Sequence, residues 1–172
     1  MDGTIADFEE SMLAHLKERL PEYPFKPLSE RVSHKFYEDY PEEVHSSIHE
    51  IYHAKGFYEN LPPIEGAIDA LKEMNEHFTV FICSTPLRDY MFNIFEKYAW
   101  IDAHLGKEWI EKIILTRDKT LIHGDYLIDD APVVNGVFQP KWEHILFDQA
   151  YNRKDTHKRR LNWQNWRSVL LQ

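Results

Sequence analysis

The sequence predicts an α/β protein built on a parallel sheet with helices on both faces, a doubly wound arrangement. Three observations lead there. Short apolar runs, each too short for a helix, recur at residues 78–83, 112–115, 126–128 and 144–147. Stretches with helical spacing separate them, and strands alternating with helices are the pattern of a parallel sheet covered on both sides. Polar groups then follow three of the runs directly: Ser84-Thr85, Thr116-Arg117-Asp118-Lys119 and Asp129-Asp130. In open α/β sheets ligands sit at the carboxyl ends of the strands.

Each element has its own justification. Residues 7–20 read as a helix, because Phe8, Met12, Leu16 and Leu20 fall four apart and share one face. Pro21, Pro24 and Pro27 break that pattern. A helix is expected at residues 41–55, with Pro41 in its first turn and Gly56 at its end. Leu61-Pro62-Pro63 is a second connector. The two proline connectors bracket an inserted helical cap at residues 11–62, leaving residues 1–10 and 63–172 as the core. Residues 64–77 form an amphipathic helix with Ile68, Leu71 and Met74 on one side, and 78–83 a buried strand. A helix at 87–98, a short helix end and strand at 109–115, strands at 126–128 and 144–147, and a closing helix at 163–171 complete the chain.

The 172 residues give room for one domain with a sizeable core and one insertion. A charge of 20 − 29 = −9, with His neutral, argues against a general binder of nucleic acid polymers. It leaves room for one phosphate, which needs only a cation and a few donors. A single cysteine, Cys83, excludes an internal disulfide and fits a reducing compartment. No apolar run reaches the roughly 20 residues a bilayer span needs, and no signal peptide is visible. The expectation is a cytoplasmic protein without a membrane partner, with homodimer formation left open.

The chemistry-bearing residues centre on two stretches. Leu127-Ile128-Asp129-Asp130 ends an apolar run in adjacent carboxylates, a strongly anionic point that a divalent cation or a lysine can neutralise. Met1-Asp2-Gly3-Thr4 is an Asp-Gly turn of the kind that ends a strand. Brought together, they make an oxygen-ligand site suited to Mg²⁺. Taken alone, each also fits an ordinary solvated turn. Ser84 and Thr85 can bind phosphate oxygens or cap the helix expected near Leu87. Lys119 can neutralise a phosphoryl group or pair with Asp129, and Asp2 can exchange a proton with a leaving oxygen.

The order Asp, Ser, Lys, Asp-Asp at successive strand ends resembles the four motifs of the haloacid dehalogenase-like phosphatases. The resemblance narrows to the 5′(3′)-deoxyribonucleotidases. It is carried by Met1-Asp2-Gly3-Thr4-Ile5-Ala6-Asp7-Phe8-Glu9, Val80-Phe81-Ile82-Cys83-Ser84-Thr85-Pro86, Phe95-Glu96-Lys97-Tyr98-Ala99-Trp100, Leu115-Thr116-Arg117-Asp118-Lys119-Thr120, Leu127-Ile128-Asp129-Asp130 and Trp142-Glu143-His144-Ile145-Leu146-Phe147. It implies hydrolysis of nucleoside monophosphates with Mg²⁺ through an aspartyl-phosphate. Asp2 would be the acid and base. Its carbonyl and Asp130 would ligate Mg²⁺, and Asp129 would hold Lys119. Ser84, Thr85 and Lys119 would grip the phosphate, with Arg117 near the substrate. Phe8 would stack on the base beneath cap aromatics such as Tyr52 or Phe57, or else serve only as a core residue of its helix. The family's nucleophilic Asp lies two positions before Asp2, so the expectation is that it and its strand stand upstream of Met1. A chain without them is expected to be inactive, which leaves a non-catalytic nucleotide-binding module as the alternative.

A second motif competes. His49-Glu50-Ile51-Tyr52-His53 is formally the His-Glu-x-x-His of zinc peptidases, with His45 one turn earlier on the same face. No third ligand or Met-turn accompanies it, and a solvated cap face is the favoured reading over a metal site.

Overall fold

The computed structural model describes residues 1–171. Helix α1 (Phe8–Arg19) starts at Asp7, whose carboxylate accepts from the Glu10 N–H (3.0 Å). Met12 and Leu16, two members of the expected apolar face, are fully buried. Two single 3₁₀ turns follow, Leu28–Glu30 and Phe36–Asp39. They are held to α1 by Arg31. Its guanidinium lies 2.7 Å from Glu9 and 3.2 Å from Asp39, donates to the carbonyls of Phe36 (2.9 Å) and Ser33 (3.0 Å), and covers the Phe36 ring at 4.1 Å. Helix α2 (Glu42–Tyr52) buries Val44, Ile48 and Ile51. Pro41 sits at its N-cap rather than inside its first turn, and the helix stops before the expected residue 55.

Helix α3 (Ala67–His77) begins three residues late, after Gly66 at φ +80°. Strand β1 (Ile82–Ser84) is half the expected length. Its register runs Ile82–Ile113 to Ser84–Leu115 against β2 (Ile113–Leu115), while residues 78–81 pair with no strand among the described residues and Phe81 is 54% exposed. Helix α4 spans Phe92–His104 in place of 87–98. The Asn93 side chain accepts the Leu87 N–H (3.0 Å) and holds 87–91 as a loop, while Trp100 and Ile101 carry the helix onward into the core. Strands β3 (Tyr126–Asp129) and β4 (Glu143–Phe147) lie where the apolar runs place them. Strand β5 (Arg160–Leu161) pairs with Leu146 and Phe147; two residues are too short to show a period in sequence. Helix α5 covers only Trp166–Leu170, because Trp163 turns inward before it.

Every strand pairing is parallel, as the alternation requires. The sheet comes in two pieces, β1-β2 and β3-β4-β5. The free edges of β1 and β3 border one slot of about 580 Å³, lined by Phe78, Val80 and Ile82 on one side, Tyr126, Leu127 and Ile128 on the other, with Leu71, Met74 and Trp163 also in its wall. The N-terminal loop closes one end. The N–H groups of Thr4, Ile5 and Ala6 all donate to the Met1 carbonyl (3.2, 2.8 and 3.1 Å). A single buried cluster runs from Met12, Leu16 and Ile48 through Leu61 to Trp100, Ile145 and Trp166, so helices and sheet share one core. Among the described residues no helix is long and apolar enough to cross a membrane.

Candidate active site

The ends of β1 and β3 and the loop after β2 converge on one cavity of about 510 Å³, a size suited to a small organic ligand. Asp2, Phe8, Ser84, Thr85, Arg117, Lys119, Asp129 and Asp130 all line it, and Tyr52 and Tyr58 face it from the helical side. Phe57 does not line it. It is buried behind Phe8, edge-on at 5.7 Å, and Tyr58 takes the place expected for it. Phe8 borders the cavity and also packs within the aromatic cluster, lying 6.3 Å from Tyr58 in a stacked pair.

The acidic pair is split in function by its surroundings. Asp129 ends β3 with its carboxylate buried; one oxygen takes the Lys119 ammonium, the other accepts the Ala131 N–H (3.0 Å). Burial opposes the charge on Lys119, but the attraction of Asp129 outweighs it, and the lysine's pKa lies above the ordinary value. Asp118 fixes that lysine's loop by accepting from the Thr120 N–H (2.8 Å) and the Val137 N–H (2.8 Å). Arg117, exposed in the same loop, has no ion pair among the described residues.

Asp130 accepts from the Thr4 hydroxyl (3.0 Å) and the Tyr151 hydroxyl (2.7 Å), and lies 3.2 Å from His34 Nε2. Burial opposes its ionisation, but the His34 bond and charge and the Tyr151 hydroxyl hold it well below the usual carboxylate range. Burial likewise opposes charge on His34, and Asp130 overcomes it, raising the imidazole's pKa. The main chain of Asp2-Gly3 runs directly against this carboxylate. A Cβ on Gly3 would stand 2.8 Å from Asp130 Oδ2, and Gly3 sits at φ +72°, so only glycine fits. The chain's far end braces the loop: Gln149 donates to the Gly3 carbonyl (2.8 Å) and the Trp163 indole to the Thr4 carbonyl (2.8 Å).

One oxygen of the Asp2 carboxylate takes the Lys97 ammonium; the other is buried without a hydrogen-bond partner. This orphaned oxygen and the Asp130 carboxylate belong to residues that line the same cavity, and oxygen donors of this kind suit a hard divalent cation. Lys97 and its neighbour Glu96 were not picked out as site residues from the sequence. Asn93, Glu96, Lys97 and Trp100 nevertheless share one buried helix face, and polar residues on an otherwise apolar face were the readable signal. Glu96 accepts from the N–H groups of Gly56 (2.7 Å) and Tyr58 (3.1 Å) and from the Tyr90 hydroxyl (2.7 Å), pinning the end of the helical segment to α4. His34 and Tyr151 gave no such signal, because the Asp130 they contact lies 96 (130 − 34) and 21 positions away; Arg31 stands in an irregular connector that shows no period.

The His-Glu-x-x-His helix does not form a peptidase site. Glu50 pairs with Arg19 of α1, and His45 Nε2 bonds the Tyr40 carbonyl (2.9 Å), so neither joins His49 and His53.

A family model described as 5′ nucleotidase, deoxy (pyrimidine), cytosolic type C matches residues 1–172. The chain belongs to the 5′(3′)-deoxyribonucleotidase family. A putative 5′(3′)-deoxyribonucleotidase of Bordetella bronchiseptica is 44% identical over 98% of this chain and 91% of its own length. The cytosolic-type 5′(3′)-deoxyribonucleotidase of Homo sapiens is 43% identical over 99% of this chain and 90% of its own. The mitochondrial 5′(3′)-deoxyribonucleotidase of Mus musculus is 38% identical over 99% and 82%. The parallel sheet agrees with the haloacid dehalogenase-like core of this deoxyribonucleotidase family.

Proposed function

We propose that this protein is a Mg²⁺-dependent phosphatase acting on deoxyribonucleoside monophosphates. The observation that carries the reading is the single cavity in which an ion-paired lysine, a strand-end serine, two carboxylate centres and an aromatic wall meet. Family membership narrows the reaction. Ser84, the Thr85 main chain and Lys119 grip the phosphate, with Arg117 free to reach it from the rim. Phe8, Tyr52 and Tyr58 offer the base a flat apolar surface. The helical segment, residues 11–62, acts as the cap over the site. Asp130 and the Asp2 carbonyl would hold the metal, which would supply positive charge beside the phosphate.

Asp2 donates a proton to the nucleoside oxygen as the phosphorus–oxygen bond breaks, and then takes a proton from the water that releases phosphate. The nucleophile in this reading is an aspartate two positions before Asp2, forming an aspartyl-phosphate. It stands at the end of a strand that fills the slot between β1 and β3. Two parallel edges facing one apolar slot support that placement, since buried edge N–H and C=O groups cost roughly 1–3 kcal/mol each when unpaired. The reaction is placed in the cytoplasm.

The test is phosphate release from a panel of deoxynucleoside monophosphates with Mg²⁺, using a protein that carries the slot strand. Asp130→Asn and Lys119→Ala should each remove activity by roughly 100-fold or more. Activity that survives both changes refutes the reading. Calorimetric binding of a deoxynucleotide without turnover assigns the protein to the non-catalytic alternative.

A further inference from the structure

A second cluster of donors stands beside the mouth of the cavity, at the last turn of α2. His49 and His53 lie one turn apart with their rings stacked, 3.8 Å between centroids and 23° between planes. His53 Nδ1 lies 2.9 Å from the His49 carbonyl. A carbonyl only accepts, so Nδ1 carries a proton; Nε2 faces another acceptor, Asp89, and offers its lone pair only to a cation that displaces the proton it donates there. That Nε2 lies 3.1 Å from one oxygen of Asp89, and His49 Nε2 lies 4.0 Å from the other. The three ligand atoms all fall within 4.8 Å of one another. A backbone carbonyl fixing the tautomer of a histidine whose other nitrogen faces a shared centre is the usual support of a metal-bound imidazole.

The donor chemistry selects the ion. Two imidazoles and one carboxylate suit a borderline ion such as Zn²⁺, and suit Mg²⁺ poorly. Zinc bonds of about 2.0–2.1 Å put tetrahedral donors roughly 3.3 Å apart, so the cluster must contract by an ångström or so. Exposure of His49 and Asp89, 55% and 66%, leaves both side chains free to move and leaves water access to the remaining coordination positions. Tyr52 and Tyr90 flank the more buried His53 at 4.5 and 5.8 Å.

We propose that His49, His53 and Asp89 form a Zn²⁺ site that ties α2 to the loop at 85–91. Both tied elements line the cavity: α2 supplies Ile48 and Tyr52, and the loop supplies Thr85 and Leu87. Zinc therefore acts as a staple that restricts passage of substrate and product, a consequence that rests on the nucleotidase reading.

Binding tests the site without any enzyme assay. Titration of the full chain with ZnCl₂ in the presence of excess Mg²⁺ should show one saturable site. His53→Ala and Asp89→Ala should each weaken it at least tenfold, and Glu50→Gln, whose carboxylate faces Arg19, should leave it unchanged. His49→Ala, at an exposed position, serves if circular dichroism shows that His53→Ala has unfolded. Co²⁺ in place of Zn²⁺ should give visible absorption bands that Asp89→Ala abolishes. No saturable binding, or binding of equal strength in the His and Asp variants, overturns the proposal. In the turnover assay, run on protein that carries the slot strand, Zn²⁺ should slow the parent protein and spare Asp89→Ala. Equal slowing of both removes the staple while leaving the binding result in force. Absence of turnover in every sample counts against the nucleotidase reading alone.

Discussion

Replacing Arg31 with methionine should be the most damaging single change among the residues outside the site. The Arg31 side chain is 1% exposed, and its two carboxylate partners, Glu9 and Asp39, are 8% and 5% exposed. Methionine keeps much of the volume and removes the charge. Two buried carboxylates then lose their counter-ion, and the Phe36 and Ser33 carbonyls lose their donor. Breaking a buried pair from one side costs about 3–5 kcal/mol. In a protein of this size each kcal/mol is worth roughly 2–4 °C, so the melting temperature should fall by about 6–20 °C. The loss should also depend on pH. Burial already pushes the Glu9 carboxyl up to about 7 against the pull of Arg31. Without the arginine Glu9 escapes the penalty by binding a proton, which it does more readily at low pH. Thermal unfolding followed by circular dichroism at pH 5.5 and pH 8 should show the larger deficit at pH 8. Addition of Glu9→Gln should recover part of it. A deficit below about 3 °C at both values, or a larger one at pH 5.5, refutes the argument.

Three further outcomes follow from the same contacts. The Glu9 carboxyl, raised in the folded state from 4.5 to about 7, contributes stability that is full below about 4.5 and is lost as pH rises through about 7; urea midpoints should fall across that window and fall less in Glu9→Gln. Glu96→Gln weakens the acceptor for the Gly56 and Tyr58 N–H groups and should cost roughly 1–3 kcal/mol in urea unfolding, loosening residues 53–60 in hydrogen exchange first. Gly3→Ala forces a Cβ into Asp130 at a positive φ and should cost about 1–2 kcal/mol or more, with phosphatase activity falling further than stability.

The strand centres at Ile113–Leu115, Tyr126–Asp129 and Glu143–Phe147 were readable because apolar β-branched runs leave few other options. The strand-end polar groups followed from position alone, and Ser84, Thr85, Arg117, Lys119, Asp129 and Asp130 line one cavity. Helix α4 was displaced because a single side chain, Asn93, captures the Leu87 N–H and delays the helix start; nothing in the periodicity records that bond. The shortening of β1 has a different cause. Residues 78–81 are apolar enough for a strand, but strand structure also needs a pairing edge, which is a property of the neighbours. His34 illustrates the third kind of miss. It lies in a polar connector, 96 positions from the Asp130 it contacts (130 − 34), and local sequence carries no information about that distance.

The bracing of the Asp2 loop sets an order of events during synthesis. Thr4 reaches Asp130, Gly3 reaches Gln149 and Thr4 reaches Trp163 across separations of 126, 146 and 159 residues. Residues 3 and 4 thus wait for residues 130–163 to be made before they acquire their working geometry. A nascent chain stopped before Gln149 lacks two of those braces, so it has no assembled site to bind a nucleotide. Contacts of such long sequence separation also slow the closing step of folding relative to the local packing of α1 on α2. Competence therefore arrives late, once Trp163 has been made and can pack against the loop.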